Sequence, residues 1–126
     1  MSLRSPLGRV LGLGTAKDGT GDWWGQRVSA IALALLGCWF AISLATMSSF
    51  DYAASVSFIG KPFNSVLLVL LAVTMAYHSF LGLQVVIEDY VHSAGLKVMA
   101  LIASRFAHIV LAVAAIFAIL KIGFSA

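Results

Sequence analysis

Charge is what this chain has least of. Only 10% of its 126 residues are charged, against roughly a quarter in a soluble domain. With 61% hydrophobic residues and a mean hydropathy of +1.01, its apolar surface has to face lipid or other proteins. An ordinary water-soluble globule is excluded. Cysteine is nearly absent, Cys38 being the single one, so no internal disulfide forms. A thiol among apolar neighbours behaves as a small hydrophobe. Alternation is missing as well, since the long apolar runs lack the two-residue period of a membrane β-strand. The basic residues are scattered rather than patched, which argues against a nucleic-acid partner. No compact apolar region with a cleavage site stands in the first 25 residues, so they do not read as a signal peptide.

What is present is three long apolar runs. About 20 helical residues cross the ~30 Å hydrocarbon core, and runs at about 28–47, 62–87 and 96–120 have that length. The expected fold is all-α and integral to the membrane, with three transmembrane helices in residues 27–126. There is little room for a catalytic domain. Residues 1–26 read as an N-terminal arm, loosened by Pro6 and by glycines up to Gly21. Trp23 and Trp24 stand where tryptophans anchor helices at headgroup depth. Residues 48–61 read as a short polar loop, with Pro62 opening the second span. Gly95 is expected to end that span in a left-handed conformation.

Arg4, Arg9, Lys17 and Arg27 precede the first span and Lys97 follows the second, against Lys61 and Lys121 on the other side. The positive-inside rule then makes the N-terminus cytoplasmic.

The second span carries the chemistry. His78 lies deep in an apolar helix, and ionisable groups inside a bilayer usually serve a cofactor, a pathway or a partner. At about 100° per residue, Gly82, Val85 and Asp89 return to its face, with Tyr90 one step further round. The rise from His78 to Tyr90 is about 18 Å, which puts the phenol near the cytoplasmic boundary. A neutral imidazole beside a bare glycine suits the axial position of a haem. It equally suits a hydrogen bond to a neighbouring helix, and spacing alone leaves both open. Glu88 and Asp89 at a helix C-terminus oppose the macrodipole, so a basic partner or a proton-handling role has to favour them. Arg27 is either a snorkelling topological charge or a counter-ion to an anionic cofactor group. Arg105 and His108 share a face of the third span, and Arg105 lies about 13 Å along it. Protein, lipid phosphate and cofactor carboxylate all remain candidates for what it meets.

Two segments carry a family resemblance: Asp22-Trp23-Trp24-Gly25-Gln26-Arg27-Val28-Ser29-Ala30, and His78 … Gly82 … Gln84 … Asp89-Tyr90. With the three-span layout, they resemble the small hydrophobic membrane anchor subunit of succinate dehydrogenase, the D-type cytochrome b anchor of complex II. The resemblance covers nearly the whole chain. The companion anchor's serine and His-Arg motif before its first span are missing, which makes this the D-type partner.

The resemblance implies a non-catalytic subunit of a succinate:ubiquinone oxidoreductase. His78 would be one axial ligand of a haem b, whose iron takes its other ligand from a companion cytochrome b556-type anchor. Arg27 would lie near the haem propionates. Tyr90 would hydrogen-bond ubiquinone, with Asp89 orienting that site or feeding it protons. FAD and iron–sulfur clusters would reside on the flavoprotein and iron–sulfur subunits. A bacterial inner membrane is favoured over the mitochondrial one, since no long Arg- and Ser-rich presequence is seen. Arg105 and His108 match no motif of the family. If His108 faced the bundle core in place of His78, the haem assignment would move with it. Two rival functions are a haem-free structural anchor of a fumarate reductase-like complex and a small transporter or proton-channel component.

Overall fold

The computed structural model describes residues 19–125, and all of its regular elements are helices. They are α1 (Gly19–Ala45), α2 (Tyr52–Gly60), α3 (Pro62–Tyr90) and α4 (Ala94–Ser125). Three of them, α1, α3 and α4, are long and apolar enough to span a membrane. Their 27, 29 and 32 residues correspond to about 40, 43 and 48 Å at 1.5 Å per residue. Each exceeds the hydrocarbon thickness, so the helices tilt or project beyond it.

Helix α3 is the centre of the fold. It packs antiparallel to α1 on one flank and to α4 on the other, while α1 and α4 make no close backbone contact among the described residues. The arrangement is a row rather than a closed bundle. Leu81 and Ile87, both on α3, are the buried hydrophobic residues, and Ser29, Ser65 and Ser104 are the buried polar ones. A water-soluble protein could not survive with so little core. In lipid there is no hydrophobic drive between helices, and close approach through small residues takes over. The rest of the apolar surface is left for acyl chains and neighbouring subunits.

Three expectations need correcting. Residues 1–18 of the proposed arm lie outside the described residues, but Gly19 to Gln26 are the first two turns of α1. Asp22 in the first turn complements the positive end of the helix dipole there, and the glycines masked that signal. The loop 48–61 also contains a helix, α2. Asp51 caps it by accepting from the Ala54 amide at 2.8 Å, and Ser49 Oγ donates to the other carboxylate oxygen at 2.8 Å. The amide first, and the hydroxyl second, hold the Asp51 carboxyl below its ordinary pKa of 3.8. At the far end of α2, Asn64 Nδ2 donates to the Phe58 carbonyl at 2.8 Å and Ser65 Oγ donates to that of Ile59. Phe58 stacks on Trp39 of α1 with ring centroids 6.2 Å apart. Finally, Gly95 does not cap α3. That helix closes at Tyr90 with Val91 extended (φ −93°, ψ 105°), and Gly95 lies in the first turn of α4. Pro62 does take the first turn of α3.

Candidate functional site

The site grows out of the contact between α1 and α3. Gly25 allows it: a Cβ there would lie 2.5 Å from Tyr77 Oη and 3.1 Å from Leu81 Cδ1. The absence of a side chain brings the two helices together at this level. One turn further along α1, Ser29 is buried against α3, 5% exposed, and its Oγ lies 2.9 Å from His78 Nδ1. The same hydroxyl reaches the Gln26 carbonyl at 3.2 Å. The other ring nitrogen of His78, Nε2, has no protein partner among the described residues and is not sealed in the interior.

One turn from His78 towards Tyr90, Gly82 faces Gln26, whose Nε2 would be 3.6 Å from an added Cβ. A groove of about 460 Å³ runs along this part of the α1–α3 seam, lined by Asp22, Trp23, Gln26, Gly82, Val85 and Glu88 among others. Gln26 Oε1 is buried there without a hydrogen-bond partner among the described residues. An unsatisfied buried acceptor is costly and calls for a specific explanation.

His108, the rival histidine, is placed differently. Its Nδ1 lies 2.7 Å from the Ser104 carbonyl one turn back, and a carbonyl only accepts, so Nδ1 carries the proton. Its Nε2 then accepts from Ser79 Oγ on α3 at 3.2 Å. Both ring nitrogens are occupied, Nδ1 within α4 and Nε2 across to α3, and the ring sits edge-on to Phe80 at 5.9 Å. Arg105 lies over that same Phe80 ring at 5.2 Å. Among the described residues there is no cluster of three or more His, Cys, Asp or Glu side chains able to hold a metal.

Arg27 is exposed and lies over the Trp23 ring at 5.4 Å. It stands two residues, or about 200° of helix, from Ser29, so the structure does not bring it against His78. No described carboxylate competes for its guanidinium. Trp23 and Trp24 pack edge to face, 5.2 Å apart, and both are exposed.

Asp89 and Tyr90 form the last turn of α3 and project outward, Tyr90 being 76% exposed. Neither side chain has a hydrogen-bond partner among the described residues, so both are available to another molecule. The acidic end of α3 has a cation of its own: Lys97 Nζ donates to the Glu88 carbonyl at 2.8 Å. That places positive charge where the helix dipole is negative. Gln84 Nε2 donates to Glu88 Oε1 at 3.0 Å. The expected balance against Glu88 and Asp89 thus comes in part from within the chain.

Sequence patterning alone gives Ser29 and Gln26 no role. A small polar residue one helical turn from a glycine, in an otherwise apolar span, is the signal that marks Ser29.

Comparison with known proteins agrees with this layout. The family described as succinate dehydrogenase/fumarate reductase transmembrane subunit matches residues 1–120. The succinate dehydrogenase hydrophobic membrane anchor subunit of Rickettsia bellii is 32% identical over 116 residues, covering 92% of this chain and 93% of its own. That of Paracoccus denitrificans is 30% identical over 122 residues, covering 97% and 94%. That of Rickettsia conorii reaches 40% identity over 79 residues, 62% and 63% of the two chains. The chain therefore belongs to the succinate dehydrogenase/fumarate reductase transmembrane subunit family, as a membrane anchor subunit of succinate dehydrogenase.

Proposed function

We propose that this anchor shares a haem b with a companion anchor subunit and forms part of a ubiquinone-reducing site, in a four-subunit complex of a bacterial inner membrane. The observation that carries the reading is the contrast between the two intramembrane histidines. His78 has its Nδ1 engaged and its Nε2 free of partners among the described residues, whereas both nitrogens of His108 are used. An axial ligand needs one nitrogen with an available lone pair and benefits from an orienting hydrogen bond on the other.

The surroundings also fit a flat group. Gly82 presents no side chain to the groove, and Gln26 Oε1 is a buried acceptor in want of a partner. In this reading His78 supplies the haem ligand from this chain. Arg27 meets a propionate, its guanidinium lying over the Trp23 ring. When bound, haem b supplies a one-electron redox centre within the membrane.

Tyr90 and Asp89 act on the quinone, about 18 Å along α3 from His78. Reduction to the quinol consumes two electrons and two protons. The Tyr90 hydroxyl donates a hydrogen bond to a ring carbonyl and polarises it as electrons arrive, while Asp89 holds or passes a proton beside it. With the N-terminus cytoplasmic, as the placement of basic residues favours, Tyr90 opens on the cytoplasmic side, where an iron–sulfur subunit docks. FAD and the iron–sulfur clusters stay on the partner subunits.

Purification in mild detergent tests this. The chain should bring with it a companion anchor, a flavoprotein and an iron–sulfur subunit, and a pyridine haemochrome assay should return protohaem. An intact four-subunit complex devoid of haem would contradict the reading and leave a purely structural anchor. A chain that travels without flavin or iron–sulfur partners would contradict it altogether.

A further inference from the structure

We propose that Ser29 is the positioning residue for His78: its hydroxyl oxygen accepts the Nδ1 proton, turns the Nε2 lone pair outward and sets the donor strength of the ring. The inference rests on the reading of His78 as a haem ligand and goes beyond it, since it concerns how that ligand is tuned.

The hydrogens available at the site fix the direction of each bond. A neutral imidazole carries one ring proton. If Nε2 gives its lone pair to iron, that proton is on Nδ1 and needs an acceptor. Ser29 Oγ, 2.9 Å away, is the hydrogen-bond partner Nδ1 has among the described residues. A serine hydroxyl has a single hydrogen, and this one has its own destination in the Gln26 carbonyl at 3.2 Å. The relay therefore runs one way: imidazole N–H to hydroxyl oxygen, hydroxyl hydrogen to backbone carbonyl. Every member is satisfied, and each bond polarises the next.

The placement is also rigid. Ser29 is buried on a helix that approaches α3 through Gly25 one turn away, which holds its oxygen against the facing helix. His108 makes a useful contrast. Its Nδ1 proton goes to a carbonyl on its own helix, while its Nε2 is already taken by Ser79. In His78 the proton is held from the opposite helix and Nε2 is left over.

A hydrogen bond that draws on the Nδ1 proton makes the ring a stronger donor through Nε2. Stronger donation favours ferric over ferrous iron and so lowers the reduction potential. Ser29 is thereby a determinant of the electrochemistry of a group it does not touch.

The test uses the purified complex and three replacements: Ser29→Ala, Ser29→Thr and Ser29→Val. Thr and Val have nearly the same shape, but only Thr keeps the hydroxyl. The readouts are haem content and the midpoint potential from redox titration. Ser29→Ala and Ser29→Val should move the potential positive. The expected size is about a tenfold loss of ferric-over-ferrous preference, at the lower end of second-sphere effects on metal sites. That loss is about 59 mV for one electron. Ser29→Thr should keep the wild-type potential. Loss of haem from the Ala and Val variants with retention in the Thr variant would also support the proposal.

Unchanged potentials in all three variants would overturn it. So would a Thr variant shifted as far as Val, or haem lost from all three with assembly intact, since either makes Ser29 a packing residue. Failure of the underlying reading looks different. It would appear as haem retained with an unaltered spectrum when His78 itself is replaced.

Discussion

Replacing His78 with alanine is expected to abolish the b-type absorbance of the assembled complex, whereas replacing His108 with alanine leaves it in place. Both histidines lie within apolar spans, and hydropathy and spacing alone do not rank them. Their hydrogen bonds do. His108 is spent on the Ser104 carbonyl and on Ser79 Oγ. Its removal costs a polar interhelical contact, on average about 0.6 kcal/mol in a membrane protein. Among the described residues His78 makes one hydrogen bond, to Ser29, and keeps Nε2. Its loss takes away the only iron ligand the chain is proposed to contribute, and a methyl group in its place cannot bind iron. The spectrum of the His78→Ala complex, normalised to covalently bound or extracted flavin, decides the matter. Haem at wild-type content in that variant would place the ligand elsewhere.

Tyr90→Phe should slow succinate-dependent ubiquinone reduction by about 100-fold, the lower end of the loss when one donor to a developing oxyanion is removed. Succinate oxidation by an artificial acceptor should remain at the wild-type rate. The magnitude reflects the loss of one hydrogen bond aimed at a carbonyl where charge develops. The variant is clean because the ring is 76% exposed and its hydroxyl bonds no described residue, so packing within this subunit does not depend on it. Asp89→Asn should slow the same step without affecting the artificial acceptor. Equal loss of both activities in Tyr90→Phe would mean that the substitution damages assembly, and the quinone role would fail.

The transmembrane architecture was legible from composition because the bilayer imposes a length and a polarity that few soluble segments satisfy. Pro62 was legible for a similar reason, since only the first helical turn tolerates it without cost. What escaped was set by partners distant in sequence. Helix α2 hides among serines, and its C-terminal end is closed by Asn64 and Ser65 from the next element. Gly95 carries the usual mark of a helix end, yet α3 has already stopped at Tyr90 and the glycine falls inside α4.

At the candidate site, periodicity placed His78, Gly82 and Asp89 on one face, and the structure puts Gly82 on the groove beside α1. Periodicity could not say which helix that face meets. Ser29 became visible only once α1 and α3 were in register through Gly25. The same is true of Lys97, whose ammonium on the Glu88 carbonyl offsets an acidic helix end that looked unbalanced. Arg27 remains away from His78, stacked on Trp23, so its proposed role rests on what it is free to meet.

The most direct measurement is a high-resolution density map of the intact complex in lipid nanodiscs. The account predicts density joining His78 Nε2 to a porphyrin iron at about 2 Å, the nitrogen–metal distance typical of imidazole ligation. His78 Nδ1 would still rest on Ser29 Oγ. A map in which the His78 imidazole faces acyl chains, with the iron bound by other residues or no porphyrin at the seam, would contradict it.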